Sequence, residues 1–429
     1  MQVRLLDMTN TDEALAAARV SATAFRSPGK YRQLLLDLQK NPDLTFPDPR
    51  KGDRPKQHWG AFSDENLVAV SASISMHMRY ESKFVPLCGV ADVATLPEYR
   101  RQGAIRLIMG ELLRQAEREG HVFSYLFPFS FAFYGKFGYS QGCRRYHVEL
   151  PMEQLTRLKE IGSVRACKQG DADSLQTIYD RFTRDCNGAV LRSDVIWAEK
   201  CSRDRWSEQF HTYIWQNEQG QDCAYMTYET IAGKAVDVLH IQDWACSTPE
   251  SIIGLLAFLT RYASQYAKVT MNVPCHMNLS HYFPEPRLLR HTREISGQIR
   301  VIRIAEALTR LHQPDWLRRE LAATAVSAQD HWLSLLVTDE FLPENSGLYR
   351  LSLAETVPVV QHLADPSPDS GYDLRIDARI LSTLLLGSQG LEELAGHPEC
   401  QIHPEMNETR RKLLYHFFPQ KKHCIYDYF

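Results

Sequence analysis

A short arginine-rich turn between a strand-like run and a helix-like run is the feature that most restricts how this chain folds. The run 89–96 has the apolar character of a buried strand, and Pro97 stops it. After Gly103, apolar residues recur at helical spacing from Ile105 to Ala116, which predicts a helix with one buried face. The turn is therefore predicted to place the N-terminus of a helix close to the end of a strand.

The composition of this turn indicates an anion site. The first N–H groups of a helix have no intrahelical partner, and the helix dipole adds partial positive charge there. Gly103 allows a phosphate to approach the backbone, and Arg100, Arg101 and Arg106 add charged, fork-shaped donors. The turn matches neither the triphosphate nor the dinucleotide loop pattern. It suits a pyrophosphate on a thin pantetheine arm; the alternative is an ordinary turn with solvated arginines.

A second motif follows about thirty residues later, after an aromatic run: Tyr134-Gly135-Lys136-Phe137-Gly138-Tyr139. Together, R-x-x-G, a helix, a hydrophobic strand and Y-G-x-F-G-Y resemble the Gcn5-related N-acetyltransferases (GNAT). The form of the second motif and the three-part chain resemble one branch of that family, the enhanced intracellular survival (Eis) acetyltransferases. R-x-x-G falls on Arg100 and Gly103, whereas Ile105 replaces the family's next small residue.

The resemblance implies acetyl-CoA as the cosubstrate. In the family, the turn after the fourth strand holds the pyrophosphate, and the pantetheine amides pair with the backbone of that strand. Thr95 stands where the family often has valine, but a backbone contact does not depend on that side chain. The cofactor-binding residues implied here are Val93, Ala94, Thr95, Arg100, Arg101, Gln102, Gly103, Ala104, Ile105 and Arg106.

The resemblance also implies two catalytic groups. Tyr134 matches the family tyrosine that donates a proton to the thioester sulfur, and a phenol is protonated at neutral pH. Its alternative role is packing within the aromatic cluster, and Tyr139 is the competing tyrosine. In Eis proteins the terminal carboxylate enters the active site of the first domain and deprotonates the amine; Phe429 matches that residue. The alternatives are a terminal strand that only packs in the third domain, and Asp427 as the carboxylate.

The length of 429 residues suits two or three domains. The predicted fold class is α/β (α+β), with two tandem GNAT-like mixed-sheet domains over 1–150 and 151–297. The second is expected to be degenerate, because Ala245 to Pro249, the segment that leads into its predicted helix, contains no arginine and no glycine. That helix is predicted to run from Pro249 to Tyr266. An unrelated α/β domain is the alternative. For 298–429 the sequence alone predicts a small α+β domain, and the resemblance implies a sterol-carrier-protein-2-like one.

Composition limits the partners. A net charge of −3 favours neither nucleic acid nor an anionic membrane. The chain has no long apolar run and no leader-like N-terminus, so a cytoplasmic location is expected. Its ten cysteines are scattered without C-x-x-C, which predicts reduced thiols. No clustered ligands occur at metal spacing, so no metal is expected.

The sequence therefore predicts an acetyl-CoA-dependent N-acetyltransferase. As implied by the resemblance, the acceptors are amines of aminoglycoside antibiotics, which connects the protein with antibiotic resistance, and the assembly is a homohexamer. One alternative is acetylation of protein lysines or polyamines. The other is a non-catalytic protein that binds CoA or a lipid, or a binding protein whose acetyl-CoA site is blocked by Ile105. Asp92 is a weak acceptor-site candidate, and the predicted walls of that site are Phe25, Trp59, Phe62, Phe84 and Tyr125.

Overall fold

The protein is described here by a computed structural model that covers residues 1–429 except 42–43, 204–205, 208–209, 233–236, 313–331, 353–357, 368–369 and 407. Its strands are β1 (Gln2–Leu5), β2 (Lys56–Ser63), β3 (Asn66–Tyr80), β4 (Lys83–Thr95), β5 (Phe123–Leu126), β6 (Ser140–Pro151), β7 (Ser163–Ala166), β8 (His211–Gln216), β9 (Asp222–Ile231), β10 (Asp237–Cys246), β11 (Tyr266–Pro274), β12 (Arg290–Val301), β13 (Trp332–Thr338), β14 (Gly347–Ser352), β15 (Val360–Leu363), β16 (Leu374–Asp377) and β17 (Cys400–Ile402). Its α-helices are α1 (Thr11–Phe25), α2 (Pro28–Lys40), α3 (Ala104–Arg118), α4 (Phe131–Gly135), α5 (Met152–Leu155), α6 (Ala172–Thr183), α7 (Asp194–Ser202), α8 (Pro249–Phe258), α9 (Ile304–Thr309), α10 (Ala378–Leu386), α11 (Leu391–Leu394) and α12 (Glu408–Phe417).

The chain forms two compact units. The first comprises Met1–Gly142, Gly297–Lys421 and Asp427–Phe429, and the second comprises Cys143–Ser296 and Lys422–Tyr426. Strands β6 and β12 each cross a boundary between these ranges, so their residues are divided between the units.

The N-terminal part of the first unit is a mixed sheet in the order β1-β2-β3-β4-β5. Neighbours are antiparallel except β4 and β5, which are parallel, and the second half of β12 pairs with β5. The predicted helix after the arginine turn is α3. Its periodic residues from Ile105 to Ala116 are buried and belong to a core cluster that also contains Trp59 and Val90. Helix α1 begins where Asn10 accepts hydrogen bonds from two N–H groups of the first turn.

The C-terminal part of the first unit contains a second sheet, in the order β15-β14-β13-β16-β17. Strands β13 and β16 are parallel, and the other neighbours are antiparallel. Helix α10 begins at the N-cap Asp377 and ends at Gly387, which has φ +77°. All of its residues except Arg379 are buried, so this helix forms part of the core of the C-terminal region.

The second unit has a sheet in the order β6-β11-β10-β9-β8-β7, with β10 and β11 parallel. Helix α8 is capped by Thr248, with Pro249 in its first turn. The predicted extension of this helix to Tyr266 is wrong. The helix ends at Phe258, a 3₁₀ turn covers Leu259–Tyr262, and Tyr266 pairs with Asp237 as the first residue of β11. The pairing of β11 with β10 thus decides the structure at Tyr266, although the apolar spacing that begins at Pro249 predicted a continuous helix there.

Several chemical features concern the chain as a whole. All ten cysteines are free thiols. Within the described ranges, every helix is too short or too polar to cross a bilayer. Among the same residues, no three His, Cys, Asp or Glu side chains lie close enough together to share a metal ion.

Candidate active site

The edge of β4 provides a backbone surface for an extended ligand. Strands β4 and β5 pair from Leu87 opposite Phe123 to Val90 opposite Leu126, where β5 ends. Strand β4 continues to Thr95, paired on its other side with β3. Over 91–95 the β5 side of β4 therefore has no strand partner among the described residues. Its N–H and C=O groups can pair with the amides of a ligand as with another strand.

A β-bulge interrupts β4 within this open stretch. The pairing of β3 with β4 shifts register between Val70 and Ala72, and Asp92 has φ +54°. A positive φ is uncommon for a residue other than glycine, and bulges are frequent next to active sites. The carboxylate of Asp92 lies 2.5 Å from the Lys56 ammonium. The bulge thus directs Asp92 to a neighbouring cation.

The arginine turn presents unused hydrogen-bond donors. Arg101 has φ +63° and Gly103 has φ +87°, and Gly103 caps α3 without a side-chain hydrogen bond. The first bond of the helix runs from Leu107 N–H to Gly103 O, at 3.1 Å. None of the N–H groups of residues 101–106 donates to an acceptor among the described residues. Consecutive donors at a helix N-terminus form an anion-binding site.

The side chains of the turn divide between solvent and core. Gln102 is exposed and donates to Glu98 O, at 3.0 Å. Arg100 and Arg101 are exposed, and Arg100 Nε lies 3.4 Å from Thr95 O. The exposed Arg106 places its guanidinium over the Phe341 ring, 5.1 Å from the centroid. Ala104 and Ile105 are buried, with Ile105 only 8% exposed.

The position of Ile105 bears on whether a cofactor can enter. Its side chain packs in the core cluster with Ile108 and Leu112, while its N–H remains among the unused donors. The replacement of a small family residue by Ile105 therefore fills the core and leaves the solvent side of the turn open. The residues present fit a pyrophosphate group at this helix end.

Tyr134 lies in α4, which begins where Ser130 Oγ accepts from Phe133 N–H. The residue is 4% exposed, and rings of Phe129 and Phe133 lie 5.4 and 5.1 Å from its own. Its hydroxyl donates to no group among the described residues. The hydroxyl oxygen is not completely enclosed by protein atoms, so it can still be reached from outside. Burial raises the pKa of Tyr134 above its ordinary value, so the phenol stays protonated near neutral pH.

Tyr139 is held in a different way. It is fully buried, and its hydroxyl lies 2.6 Å from Ser124 Oγ, which donates to Cys88 O at 2.9 Å. Burial also raises the pKa of Tyr139. The hydroxyl of Tyr139 is thus used in a structural hydrogen bond, whereas that of Tyr134 remains available.

The last three residues of the chain pack on the N-terminal sheet. The Phe429 ring lies 5.2 Å from the Phe127 ring, and a Cβ added to Gly89 would come within 2.7 Å of it. Tyr428 also contacts Phe127, with ring centroids 4.4 Å apart, and Asp427 pairs with Arg54 at 3.4 Å. Gly89 lies in the part of β4 that pairs with β5. The tail therefore docks against the strand whose continuation forms the open edge.

A cavity of about 340 Å³ lies beside the bulge. The small residues Ala14, Ala17, Ala18 and Ser21 of α1 form one wall, and Asp92 is also in contact with it. None of the five predicted acceptor walls lines it. Trp59 and Tyr125 are core residues, Phe62 and Phe84 each carry an arginine over the ring, and Phe25 is exposed. The four small residues recur at helical spacing along α1, so the sequence alone could have indicated this cavity.

Three family models match the chain in succession. Residues 6–142 match an acetyltransferase (GNAT) domain, residues 188–304 match a second acetyltransferase (GNAT) domain, and residues 317–424 match a sterol carrier protein domain. The N-acetyltransferases Eis of Mycobacterium tuberculosis (strain CDC 1551 / Oshkosh) and Mycobacterium bovis (strain AF2122/97) are each 26% identical over 153 residues. The chain belongs to the GNAT family, and within that family it is similar to the Eis type. The predicted fold class, two GNAT domains followed by a sterol-carrier-protein-like domain, is confirmed.

Solved structures show the same fold over the whole length. A probable N-acyltransferase from Enterococcus faecalis V583 has a TM-score of 0.78 at 20% identity, and a GCN5-related N-acetyltransferase from Anabaena variabilis has 0.79 at 18%. Eis1 from Mycobacterium abscessus has a TM-score of 0.73 at 16% identity. Each comparison covers 100% of both chains. The match to the curated Eis relatives, in contrast, covers 33% of this GNAT chain and 37% of their length.

Proposed function

We propose that this protein is an acetyl-CoA-dependent N-acetyltransferase in which the first domain is active. The observation that carries the proposal is the set of unused N–H donors at residues 101–106, which adjoins the open edge of β4. This pairing of an anion site with an extended backbone edge suits a pyrophosphate joined to a chain of amides. Ile105, which faces the core, supports a site that accepts the cofactor rather than one that excludes it.

In the proposed site, the backbone holds most of the cofactor. The N–H groups of Gln102 to Arg106 bind the pyrophosphate, and Arg100 and Arg101 add charge at the exposed side of the turn. The backbone of Val93, Ala94 and Thr95 pairs with the pantetheine amides. Bound acetyl-CoA supplies an activated acetyl group as a thioester. The residues orient that group, and orientation itself lowers the barrier to transfer.

Two groups of the chain move protons in the proposed reaction. The terminal carboxylate of Phe429, held by its docked ring, accepts a proton from the acceptor amine so that the nitrogen is neutral when it attacks. The Tyr134 hydroxyl donates a proton to the departing sulfur. It is suited to this role because it is protonated and has no competing acceptor among the described residues.

The proposed acceptors are amines of aminoglycoside-like compounds, which would connect the protein with antibiotic resistance. The resemblance to Eis-type proteins supports this choice over protein lysines and polyamines. The cavity beside Asp92 is the candidate entry for the amine, with the carboxylate near its wall. Its lining combines the small residues of α1 with larger apolar residues such as Leu34 and Phe46, and Asp92 supplies the carboxylate that would attract an amine.

The proposal includes an organisation for the chain. Residues 1–150 form the catalytic GNAT domain, residues 151–297 form a degenerate one, and residues 298–429 form the sterol-carrier-protein-2-like domain. The degenerate copy is supported by the segment 245–248 before α8, which lacks both arginine and glycine. We also propose a cytoplasmic homohexamer without a resident metal. Light scattering checks the assembly: a mass six times the 49.3 kDa chain is expected, and a monomer contradicts it.

Thermal unfolding with CoA tests the cofactor site. A ligand present at 100 times its dissociation constant stabilises a protein by about 2.7 kcal/mol. We expect CoA to raise the unfolding temperature accordingly and desulfo-CoA to act equally, because the binding groups face the pyrophosphate and the amides. No shift with either compound would contradict the proposed cofactor.

A panel of amines tests the reaction. Release of CoA thiol is measured with acetyl-CoA and either an aminoglycoside, spermidine or a lysine peptide. Turnover with the aminoglycoside supports the proposed acceptor, and turnover confined to one of the others replaces it with that amine. CoA binding without turnover on any amine would make the protein a binding module.

A further inference from the structure

A fully buried ion pair joins β12 to the segment after β13, and it also contacts the Tyr134 loop, defined as residues 131–139, which comprise α4 and the turn that follows it. Arg300, in the second half of β12, places Nη2 at 2.5 Å from Asp339 Oδ2. The two side chains are 0% and 1% exposed. A buried charge is costly unless it is paired and hydrogen-bonded. Both carboxylate oxygens and both terminal nitrogens of this pair have partners, whereas Arg300 Nε has none among the described residues.

Asp339 is held by the C-terminal region. Its Oδ1 accepts from the N–H groups of Phe341 and Leu342, at 3.1 and 3.0 Å, and its Oδ2 also accepts from Asn345 at 3.3 Å. The N–H of Asp339 donates to Ser346 Oγ at 2.9 Å. These bonds leave the carboxylate little freedom, so it offers Arg300 a fixed anchor.

Arg300 uses its second terminal nitrogen on the motif Y-G-x-F-G-Y. Its Nη1 donates to Phe137 O at 2.7 Å. The guanidinium occupies the space where a Cβ of Gly138 would lie, since that Cβ would be 1.3 Å from Nη1, and Gly138 has φ +81°. The second glycine of the motif is therefore required both by the backbone conformation and by the arginine.

The neighbouring inward residue of β12 holds the same loop. Gln298 is 2% exposed, and its Nε2 lies 3.3 Å from Phe131 O and 3.5 Å from Tyr139 O. Phe137 and Tyr139 in turn donate their N–H groups to Tyr134 O, at 2.9 and 3.4 Å. Phe137 and Tyr139, two of the three residues that accept bonds from side chains of β12, thus also hold the backbone of Tyr134.

We propose that Arg300, anchored by Asp339, is a positioning residue for Tyr134, so that the C-terminal region sets the place of the catalytic hydroxyl. This inference rests on the proposed function, in which Tyr134 is the acid. Arginine suits the role because its planar fork reaches a carboxylate and a carbonyl together, which a lysine ammonium does not do.

The test uses a paired variant, because removing one partner alone would leave a buried charge. Arg300→Met with Asp339→Asn removes both charges and leaves Phe137 O without its donor. The matched control is Arg410→Met with Asp373→Asn. Arg410 Nη2 contacts Asp373 Oδ2 and Trp332 O, both at 2.6 Å, so it has the same carboxylate-and-carbonyl arrangement away from the Tyr134 loop.

We expect the Arg300/Asp339 variant to lose on the order of 10²-fold in kcat, as for a group displaced by about 1 Å. Its KM for acetyl-CoA and its CoA-induced thermal shift should stay near those of the wild type. The control should lose thermal stability but keep its kcat. The single variant Arg300→Lys, which keeps a positive charge beside Asp339, should unfold at a higher temperature than the Arg300/Asp339 variant. Its kcat should be as low as that of the Arg300/Asp339 variant. Full kcat in the Arg300/Asp339 variant, or an equal loss in the control, would overturn the inference.

Hydrogen exchange decides the same point without turnover. Amides of residues 131–139 should exchange faster in the Arg300/Asp339 variant than in the wild type or the Arg410/Asp373 control. Unchanged exchange there would refute the positioning role even if no amine is acetylated. Lack of turnover by the wild-type protein, in contrast, would contradict only the proposed function.

Discussion

At the residue scale, the proposed pyrophosphate end of the candidate site depends on backbone conformations that residues with a Cβ rarely adopt. Arg101 and Gly103 both have positive φ, and none of the N–H groups of 101–106 has an acceptor among the described residues. A left-handed conformation is accessible to glycine at little cost, but it costs a residue with a Cβ about 1–2 kcal/mol. Gly103 is therefore the position at which a single methyl group tests the turn.

Gly103→Ala is expected to weaken CoA binding on the order of tenfold, because strain of 1–2 kcal/mol favours other conformations of the turn. An added Cβ would meet no atom within 4 Å, so the loss reports backbone strain and not a clash. Titration calorimetry with CoA measures it. Gly52→Ala is the control, since Gly52 has φ −71°. Equal affinity in both variants would contradict the prediction.

Tyr134→Phe is expected to lower kcat by about 10²–10⁴-fold, the usual contribution of a general acid, while CoA affinity persists. The ring contacts with Phe129 and Phe133 remain, so stability should change little. Tyr139→Phe is the comparison: it breaks the bond to Ser124 and should cost about 1 kcal/mol of stability with less effect on kcat. A larger kcat loss in Tyr139→Phe would transfer the acid role to Tyr139.

At the element scale, the C-terminal tail is placed by its aromatic rings. Adding residues after Phe429 moves the terminal carboxylate by up to about 3.5 Å per residue. We expect an extension of three alanines to abolish turnover while the CoA-induced thermal shift is kept. The same extension before Met1 is the control. An extended protein with full activity would remove the terminal carboxylate from the mechanism.

How far the sequence predicts these elements depends on how local their causes are. Helix α3 follows from the spacing of Ile105 to Ala116, because one face of a helix must be buried. The bulge at Asp92 does not, since it depends on the register between two long strands. Two of the predicted acceptor walls, Trp59 and Tyr125, lie in the core, because alternation along β2 and β5 does not tell which face meets a helix.

The candidate site shows the same limit. The turn from Arg100 to Arg106 can be found from sequence, because glycine, arginine and a helix start are local signals. The contacts of Arg300 with Phe137 and of Phe429 with Gly89 join residues more than a hundred positions apart, so no local pattern predicts them. Their role stays a prediction that the variants above test.

At the scale of the whole molecule, the second unit has a buried ionic cluster away from any predicted site. Asp243 accepts from Arg192 at 2.8 and 3.1 Å, and its carboxylate lies 2.7 Å from Lys200. Burial acts to raise the pKa of Asp243, but Arg192 and Lys200 outweigh it and hold the pKa below its usual range. The ionised carboxylate therefore stabilises the fold above the pKa of an unfolded aspartate, and this contribution is lost as pH falls.

Asp243→Asn is expected to lower the free energy of unfolding by about 3–5 kcal/mol, because the buried Arg192 and the partly buried Lys200 lose their counterion. Urea unfolding monitored by the tryptophans measures the loss. Asp194→Asn is the control: Asp194 is exposed in the first turn of α7, so a change within about 0.5 kcal/mol is expected. Similar losses in both variants would contradict the assignment.

His58 gives the molecule a pH dependence with a definite sign. Burial, followed by the charge of Lys56, lowers the pKa of His58 to about 4. An unfolded histidine has a pKa near 6.5, so below that value the unfolded chain takes up a proton that the folded chain refuses. Stability should therefore fall between about pH 6.5 and 4. His58→Gln should weaken this fall in urea unfolding at pH 7.5 and 5, and an identical fall would contradict it.

The packing of Asp427–Phe429 within the first unit has a consequence, under the proposed mechanism, for when a newly made protein can work. Residues 1–142 leave the ribosome long before the tail that packs on them, on the order of 15–60 s earlier at ordinary rates of synthesis. In the proposed mechanism, a nascent or prematurely terminated chain lacks the carboxylate that Phe429 supplies. Under the proposed mechanism, acetylation therefore begins only after synthesis has added Phe429, so activity would report that the tail had been made.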